Sequence, residues 1–180
     1  MKSRPSLILV LALLFAVVAA DAQSQKLFTR MLPEETRVSY RHDYSGIKIS
    51  KDSLGRVNSM VPGCGVAIGD FTGDGKPDLI FSSFGGLGFY RNDGNFKFTD
   101  ITSDIGYKKD SLQFSTGVNL VDIDADGDLD VFVARWQNTC RLLINDGRGM
   151  FTEQAHEYGL DFQDETVNSA FFDYDGELWN

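Results

Sequence analysis

The strongest constraint on the fold is an acidic phrase that occurs twice in nearly the same form. Residues 65–78 read GVAIGDFTGDGKPD, and residues 117–130 read GVNLVDIDADGDLD. The likeness extends downstream, since FYRNDGNFKFTDI at 89–101 matches LLINDGRGMFTEQ at 142–154. A third start, NSAFFDYDG from Asn168, follows at almost the same interval. Self-similarity at a period of about 50 residues is typical of arrays that repeat one supersecondary unit.

Each repeat carries the signals of four short strands, rich in β-branched and aromatic residues. An Asp-Gly pair separates the third strand from the fourth in both repeats, which favours a tight hairpin. The predicted strands are 65–70, 78–84, 89–92 and 96–100 in the first repeat, and 117–122, 130–136, 142–145 and 150–153 in the second. Four antiparallel strands in about 50 residues match one propeller blade.

The sequence therefore predicts an all-β fold of β-propeller-type four-stranded blades with calcium-binding loops. Blade 1 is predicted at 60–112 and blade 2 at 113–165, with a truncated start of blade 3 at 166–180. A propeller closes with about four to eight blades. We therefore expect an incomplete propeller that is part of a longer protein.

The connection between the first and second predicted strands has the composition of a calcium loop. In the second repeat, aspartates occupy loop positions 1, 3, 5, 7 and 9, and Gly127 at position 6 permits a sharp bend. Carboxylates this close repel one another unless they are protonated or bridged by a cation. An all-oxygen shell suits Ca²⁺ better than Mg²⁺ or Zn²⁺. The candidate ligands are Asp122, Asp124, Asp126, Asp128 through its carbonyl, and Asp130.

The first repeat keeps this frame with fewer charges. Thr72 replaces the aspartate at position 3, so we expect this loop to bind calcium more weakly than the second loop. Its candidate ligands are Asp70, Thr72, Asp74, Lys76 through its carbonyl, and Asp78.

An EF-hand loop begins in the same way but needs a glutamate at position 12 and a following helix. Position 12 is Phe81 in the first repeat and Val133 in the second, each inside a predicted strand. The EF-hand interpretation is therefore excluded. The remaining alternative is that these aspartates form solvated turns without a metal.

The N-terminus has the pattern of a secretory signal peptide at residues 1–22. Lys2 and Arg4 precede an uncharged apolar run at 7–19, and Ala20-Asp21-Ala22 has the small-x-small form of a cleavage site. A single-pass anchor is the alternative. Residues 23–59 are predicted to be a lead-in segment. We expect a secreted, periplasmic or cell-surface location, without stable membrane insertion after cleavage.

Charge and cysteine content restrict the partners and the compartment. The formal net charge of −9 disfavours nucleic acid and anionic membranes as partners. In an oxidising compartment, Cys64 and Cys140 can form a disulfide. The alternative is that both are small buried apolar residues.

The phrases GVAIGDFTGDGKPDLIF and GVNLVDIDADGDLDVFV resemble the FG-GAP/VCBS repeats of integrin α-chain propellers and secreted bacterial proteins. Their continuations, RNDGNFKFTDITSDIGY and INDGRGMFTEQAHEYGL, are similar to the version in cartilage acidic protein and its bacterial relatives with an ASPIC/UnbV tail. Residues 28–42 are similar to the lead-in of those bacterial proteins. The resemblance implies Ca²⁺ in the same ten ligand positions, and roles in adhesion, ligand binding or glycan handling.

The third loop departs from the family pattern. Asp173 and Asp175 begin it, but Gly176 comes two residues too early for the frame. Whether this third loop binds metal stays open at this point.

The function expected from these features is an extracellular module that binds a protein or glycan ligand, and not an enzyme. The chain has 2 histidines and no serine or cysteine in a nucleophile context. Trp136, Phe84 and Tyr90 are candidates for a ligand-binding face, with packing as the alternative. The other function considered is an accessory repeat region of a secreted glycan-processing enzyme whose catalytic part is absent here.

Overall fold

The structure is a computed structural model that describes residues 27–42, 64–107 and 114–173. The predicted signal peptide and Asp175 lie outside the described residues. The chain divides into two units, Met1–Met31 and Leu32–Asn180, and every element described below belongs to the second unit. Within the described ranges, no helix is long and apolar enough to cross a membrane.

The described residues form one short helix and nine strands. The helix, α1 (Pro33–Thr36), begins at a proline, which favours the first turn. The strands are β1 (Val66–Gly69), β2 (Asp78–Ser83), β3 (Gly86–Gly94), β4 (Lys97–Asp100), β5 (Ser115–Val121), β6 (Asp130–Thr139), β7 (Arg141–Asn145), β8 (Phe151–Glu153) and β9 (Gln163–Glu165).

The strands form two antiparallel sheets in which each strand pairs with its neighbour in sequence. The first sheet has the order β1-β2-β3-β4, and the second has the order β5-β6-β7-β8. The short strand β9 pairs with the last residues of β6, at 136–139, and the sequence patterns did not predict it. The all-β prediction is confirmed. Neither sheet closes on itself, and the predicted blade boundaries stay a prediction.

One hydrophobic cluster joins the two sheets. Alternate residues of β2 and β3, such as Ile80 and Phe89, lie on one face of the first sheet and contact the facing residues of the second sheet. Phe71 meets Phe89 edge to face with ring centroids 5.8 Å apart. The buried members are Ala67, Phe71, Ile80, Leu87, Phe89, Ile105, Val118, Val131, Val133, Leu143 and Phe151.

The opposite face of the second sheet is covered by the beginning of the third repeat. Phe171 packs against the buried ring of Phe132, with centroids 5.3 Å apart and an interplanar angle of 68°. Thr116 Oγ1 donates a hydrogen bond of 2.7 Å to the carbonyl oxygen of Thr166. The third repeat therefore packs against the second sheet, although it contributes no strand to that sheet within the described residues.

The outer face of the first sheet is only partly covered. Val66 and Ile68 are 56% and 65% exposed, whereas Val118, which stands at the position of Val66 in the second repeat, is 6% exposed. The difference arises because Val118 faces the first sheet. Tyr40 of the lead-in segment covers another part of this face, next to Phe81.

Tyr40 fits a space that a glycine leaves open. Its ring stacks on Phe81 at a centroid distance of 5.2 Å, and its hydroxyl hydrogen-bonds to Ser83 Oγ and to the Gly86 carbonyl, both at 2.7 Å. A Cβ atom on Gly88 would lie 2.5 Å from a carbon of the Tyr40 ring. Gly88 is therefore required by this contact, which the sequence patterns did not predict.

Two aromatic residues considered for a ligand-binding face are packing residues. Tyr90 is 2% exposed and Phe84 is 9% exposed. Trp136 is half-buried at the pairing of β6 with β9.

The disulfide considered between Cys64 and Cys140 is not formed in the structure, where both thiols are free. Cys140 is buried in the second sheet, as its apolar alternative predicted, while Cys64 is exposed and contacts His42.

We predict that Gly88→Ala lowers the free energy of unfolding by about 1–3 kcal/mol, because the added methyl overlaps the Tyr40 ring. Chemical denaturation checks this. Tyr40→Ala removes the obstructing ring, so Gly88→Ala should cost almost nothing further in that background. An equal loss with and without Tyr40 would contradict the proposed contact.

Candidate metal centre

Two acidic loops leave the sheets at equivalent places. The first loop, residues 70–77, follows the edge strand β1, and the second loop, residues 122–129, follows the edge strand β5. Each loop bends at the predicted glycine, since Gly75 has φ 81° and Gly127 has φ 96°. Such positive φ values favour glycine.

Each loop is closed by a buried aspartate that begins the next strand. Asp130 accepts a hydrogen bond from the Ile123 amide at 2.9 Å and another from the Asn145 amide at 2.8 Å. Asp78 accepts hydrogen bonds from the Thr72 amide, the Thr72 hydroxyl and the Asn92 amide. The closing aspartates therefore fix the loop conformation as well as contributing negative charge.

Three carboxylates converge in the second loop. Asp122, Asp124 and Asp130 each place an oxygen so that the three atoms lie within 4.8 Å of one another. Asp122 Oδ2 accepts the Gly127 amide at 3.1 Å, while Asp122 Oδ1 is buried and has no hydrogen-bond partner. A buried carboxylate oxygen without a partner is unfavourable. The donor set and this oxygen fit a hard divalent cation.

The other two predicted ligands of the second loop lie at its exposed tip. Asp126 Oδ1 accepts a hydrogen bond of 2.9 Å from the Asp128 amide. Neither side chain belongs to the group of three converging carboxylates. The structure thus brings together three of the side chains predicted for this loop.

The first loop is arranged differently. Asp70 accepts hydrogen bonds from the amides of Asp74 and Gly75, at 3.1 and 2.6 Å. Lys76 Nζ lies 2.7 Å from Asp74 Oδ2, so an ammonium group occupies one of the candidate ligands. The hydrogen bond to Lys76 lowers the pKa of Asp74 below its ordinary value. Among the described residues, the first loop has no group of three converging acidic side chains.

Sequence reasoning assigned Lys76 a ligand role through its carbonyl alone. Its side chain instead neutralises part of the first loop. In the second loop the equivalent residue is Asp128, whose pKa is raised by desolvation and by the charges of Asp126, Asp122 and Asp124. The second loop therefore carries more uncompensated negative charge than the first loop.

Burial also raises the pKa of Asp130 from 3.8 to about 6, and the nearby charges of Asp124 and Asp126 add to the shift. Burial likewise raises the pKa of Asp78. Burial therefore makes the ionised form of both closing carboxylates costly in free energy, and a bound cation would offset that cost.

Sequence reasoning missed Asn92 and Asn145, whose backbone amides hold the closing aspartates. It assigned them only to hairpin turns. Their recurrence before Asp-Gly in both repeats was the available signal. In the third start, Asp173 is the last described residue, and Asp175 lies outside the description.

These loops fall inside two matches to a known family. The family model for the FG-GAP-like repeat matches residues 70–133 and 122–179. The chain belongs to the FG-GAP-like repeat family. The resemblance inferred from the acidic phrases is thereby confirmed.

Curated relatives carry the name cartilage acidic protein 1. The chain is 30% identical over 127 residues to the protein of Xenopus tropicalis and 29% identical over 127 residues to that of Mus musculus. Each match covers 68% of this chain and 20% of the relative, so the chain spans about a fifth of their length.

One solved structure is also similar, an Agrocybe aegerita lectin described with specific recognition of non-reducing terminal N-acetylglucosamine. It is 23% identical, with a TM-score of 0.35, over 51% of this chain and 23% of the lectin chain. A likeness at this level carries no argument about this protein.

We predict that metal-free protein loses stability as the pH rises from about 4 to about 6. Folded Asp130 keeps its proton up to a pKa of about 6, whereas the unfolded chain releases it near 3.8. The folded state therefore binds more protons in this window, and its stability falls with pH, by about 1–3 kcal/mol from this residue.

Denaturation in chelator across this pH range tests the effect. Asp130→Asn should flatten the slope, while Asp164→Asn, at an exposed position of β9, should leave it unchanged. Equal slopes in the wild type and Asp130→Asn would contradict the assignment.

Proposed function

We propose that this chain is an extracellular repeat module that binds Ca²⁺ in its acidic loops, the second loop more tightly than the first. The observation that carries the proposal is the convergence of Asp122, Asp124 and Asp130 around the unpartnered Asp122 Oδ1. A bound cation would satisfy this oxygen and offset the repulsion among the carboxylates. Calcium is favoured because the donors are all oxygens on a loop of irregular geometry.

The role proposed for the ion is structural. The second loop lies between β5 and β6, and its closing residue Asp130 begins the central strand that pairs with both β5 and β7. A cation that fixes this loop would fix the end of the sheet. No catalytic role is proposed for the loops, because their carboxylates are accounted for by metal binding and loop closure.

The ligand proposed for the module is an extracellular protein or a glycan, as the sequence analysis expected. A cleft of ≈ 450 Å³ beside the first loop supports the proposal, because it combines charged groups of both signs with apolar side chains. Its lining residues are Thr72, Asp74, Arg91, Ile101, Asp104, Ile105, Arg148, Gly149 and Met150. Secretion and the extracellular location rest on the predicted signal peptide.

We predict that a few millimolar Ca²⁺ raises the free energy of unfolding by about 1–2 kcal/mol per filled site, at affinities typical of extracellular modules. Asp122→Asn should remove more of this gain than Asp70→Asn, the same change at the same position of the first loop. Thermal unfolding with calcium, magnesium and chelator measures the gain. Identical unfolding in calcium and in chelator would overturn the proposal, and equal losses in the two variants would overturn the ranking.

A second prediction concerns Lys76. Lys76→Gln should increase calcium binding by the first loop, because it frees Asp74 from the ammonium group. The lost ion pair is exposed to solvent, so its removal should change the stability of the protein little. Isothermal titration calorimetry measures the change, with Lys97→Gln as a control whose ammonium contacts the Glu35 carbonyl instead. Unchanged calcium binding in Lys76→Gln would show that the ion pair does not compete with the metal.

A further inference from the structure

Asn145 is a buried asparagine at the end of β7, where the chain turns towards β8. Its backbone amide donates a hydrogen bond of 2.8 Å to Asp130 Oδ1. Its side-chain oxygen accepts the amides of Gly147 and Gly149, at 3.2 and 3.1 Å, which fixes the turn. The residue that holds the closing carboxylate of the second loop is thus itself held in one orientation.

The side-chain amide of Asn145 connects the second loop to the first. Its Nδ2 donates to the carbonyl oxygen of Leu129, in the second loop, at 3.1 Å. The same Nδ2 donates at 2.9 Å to the carbonyl oxygen of Phe71, which lies between the candidate ligands Asp70 and Thr72 of the first loop. Both acidic loops are therefore hydrogen-bonded to one side chain.

A second contact supports this connection. A Cβ atom on Gly149 would lie 3.3 Å from a methyl carbon of Thr72, and one on Gly73 would lie 3.1 Å from the Gly147 carbonyl oxygen. The turn that Asn145 organises therefore packs directly against the first loop, with little free space between them.

Among the residues that the structure describes, the equivalent residue in the first sheet, Asn92, makes no such connection to another acidic loop. Its backbone amide donates to Asp78 Oδ1 and its Nδ2 to the Pro77 carbonyl, both at 2.8 Å, and its Oδ1 accepts the Gly94 amide. These bonds repeat those of Asn145 within one repeat. The bond from Asn145 to Phe71 is the additional one, and it runs between repeats.

We infer that Asn145 is a positioning residue that couples the two acidic loops, so that a cation in the second loop orders the first. This rests on the proposed calcium binding. A cation bound by Asp130 restrains the Asn145 backbone amide, which is hydrogen-bonded to that carboxylate. The Asn145 side chain transmits the restraint to the Phe71 carbonyl. Because linkage is reciprocal, a cation in the first loop stabilises the second by the same factor.

Hydrogen exchange of the backbone amides can follow each loop separately. In the first loop, the amides of Asp74 and Gly75 donate to Asp70, and in the second loop the Gly127 amide donates to Asp122. The experiment uses the chain with Asp74→Asn, which removes one acidic ligand from the first loop. In this background, calcium should slow hydrogen exchange of the first-loop amides mainly by binding to the second loop.

The expected result is that saturating calcium slows exchange in both loops. The slowing in the first loop should be about 2- to 10-fold, the range that one hydrogen bond of ordinary strength allows. Adding Asn145→Asp should abolish it there while leaving calcium protection of the second loop. This change keeps the side-chain acceptor, removes the donor to Phe71 and Leu129, and adds a negative charge that the control variant also carries.

Asn138→Asp is the matched control, because it makes the same change at a half-buried asparagine whose Nδ2 donates to the Trp136 carbonyl, outside both loops. It should leave the calcium response of the first loop unchanged. Asn145→Ser is the second variant, for use where the added charge of Asn145→Asp prevents folding, since its short side chain cannot span both carbonyls.

The outcomes separate this inference from the proposal on which it rests. Calcium protection of the second loop alone, with Asn145 intact, overturns the coupling and leaves calcium binding in place. Equal loss of first-loop protection in Asn138→Asp overturns the particular role of Asn145. Protection of neither loop overturns calcium binding and the coupling with it.

Discussion

The carboxylate of Asp130 is the group on which the second repeat most depends. It is 1% exposed, it begins the central strand β6, and its two oxygens accept amides from the acidic loop and from the β7–β8 turn. Three separate stretches of chain are thereby fixed by one charged group. Its pKa, raised to about 6, reflects the free-energy cost of ionising a carboxyl group in a buried position. The same penalty makes the loop a good site for a cation.

The sheets also depend on how the two repeats face each other. Equivalent residues of the two repeats have different surroundings, since Val118 is buried against the first sheet and Val66 is exposed. Tyr40 covers part of the exposed face of the first sheet, where its ring occupies the space that Gly88 leaves open. The lead-in is thus part of the packing of the first sheet. Repetition in sequence therefore does not give equivalent packing at the ends of an array.

Much of the local structure was predictable because its causes are local. A frame of nine residues that begins and ends with an aspartate and has glycine at position 6 defines the acidic loops. The bends at Gly75 and Gly127 follow from the need for positive φ. Strand β3 is longer than predicted, because Gly86–Gly88 gave no apolar alternation and pairs only in the presence of β2. Strand β9 was missed because its residues Gln163–Glu165 are polar, and its pairing with β6 depends on tertiary contact.

The candidate site also combines features that the sequence predicts with features that it does not. The sequence by itself determined the repeat, the all-β architecture, the acidic loops and the family, because each is encoded in residue types at short spacing. Only the tertiary structure decided which carboxylates converge, that Lys76 pairs with Asp74, and that Asn145 reaches Phe71. These depend on side-chain directions and on contacts between residues far apart in the chain. The sequence shows that Thr72 and Lys76 replace the aspartates at positions 124 and 128 of the second loop. It does not show which partners these side chains reach, because that is decided by the packing around each loop.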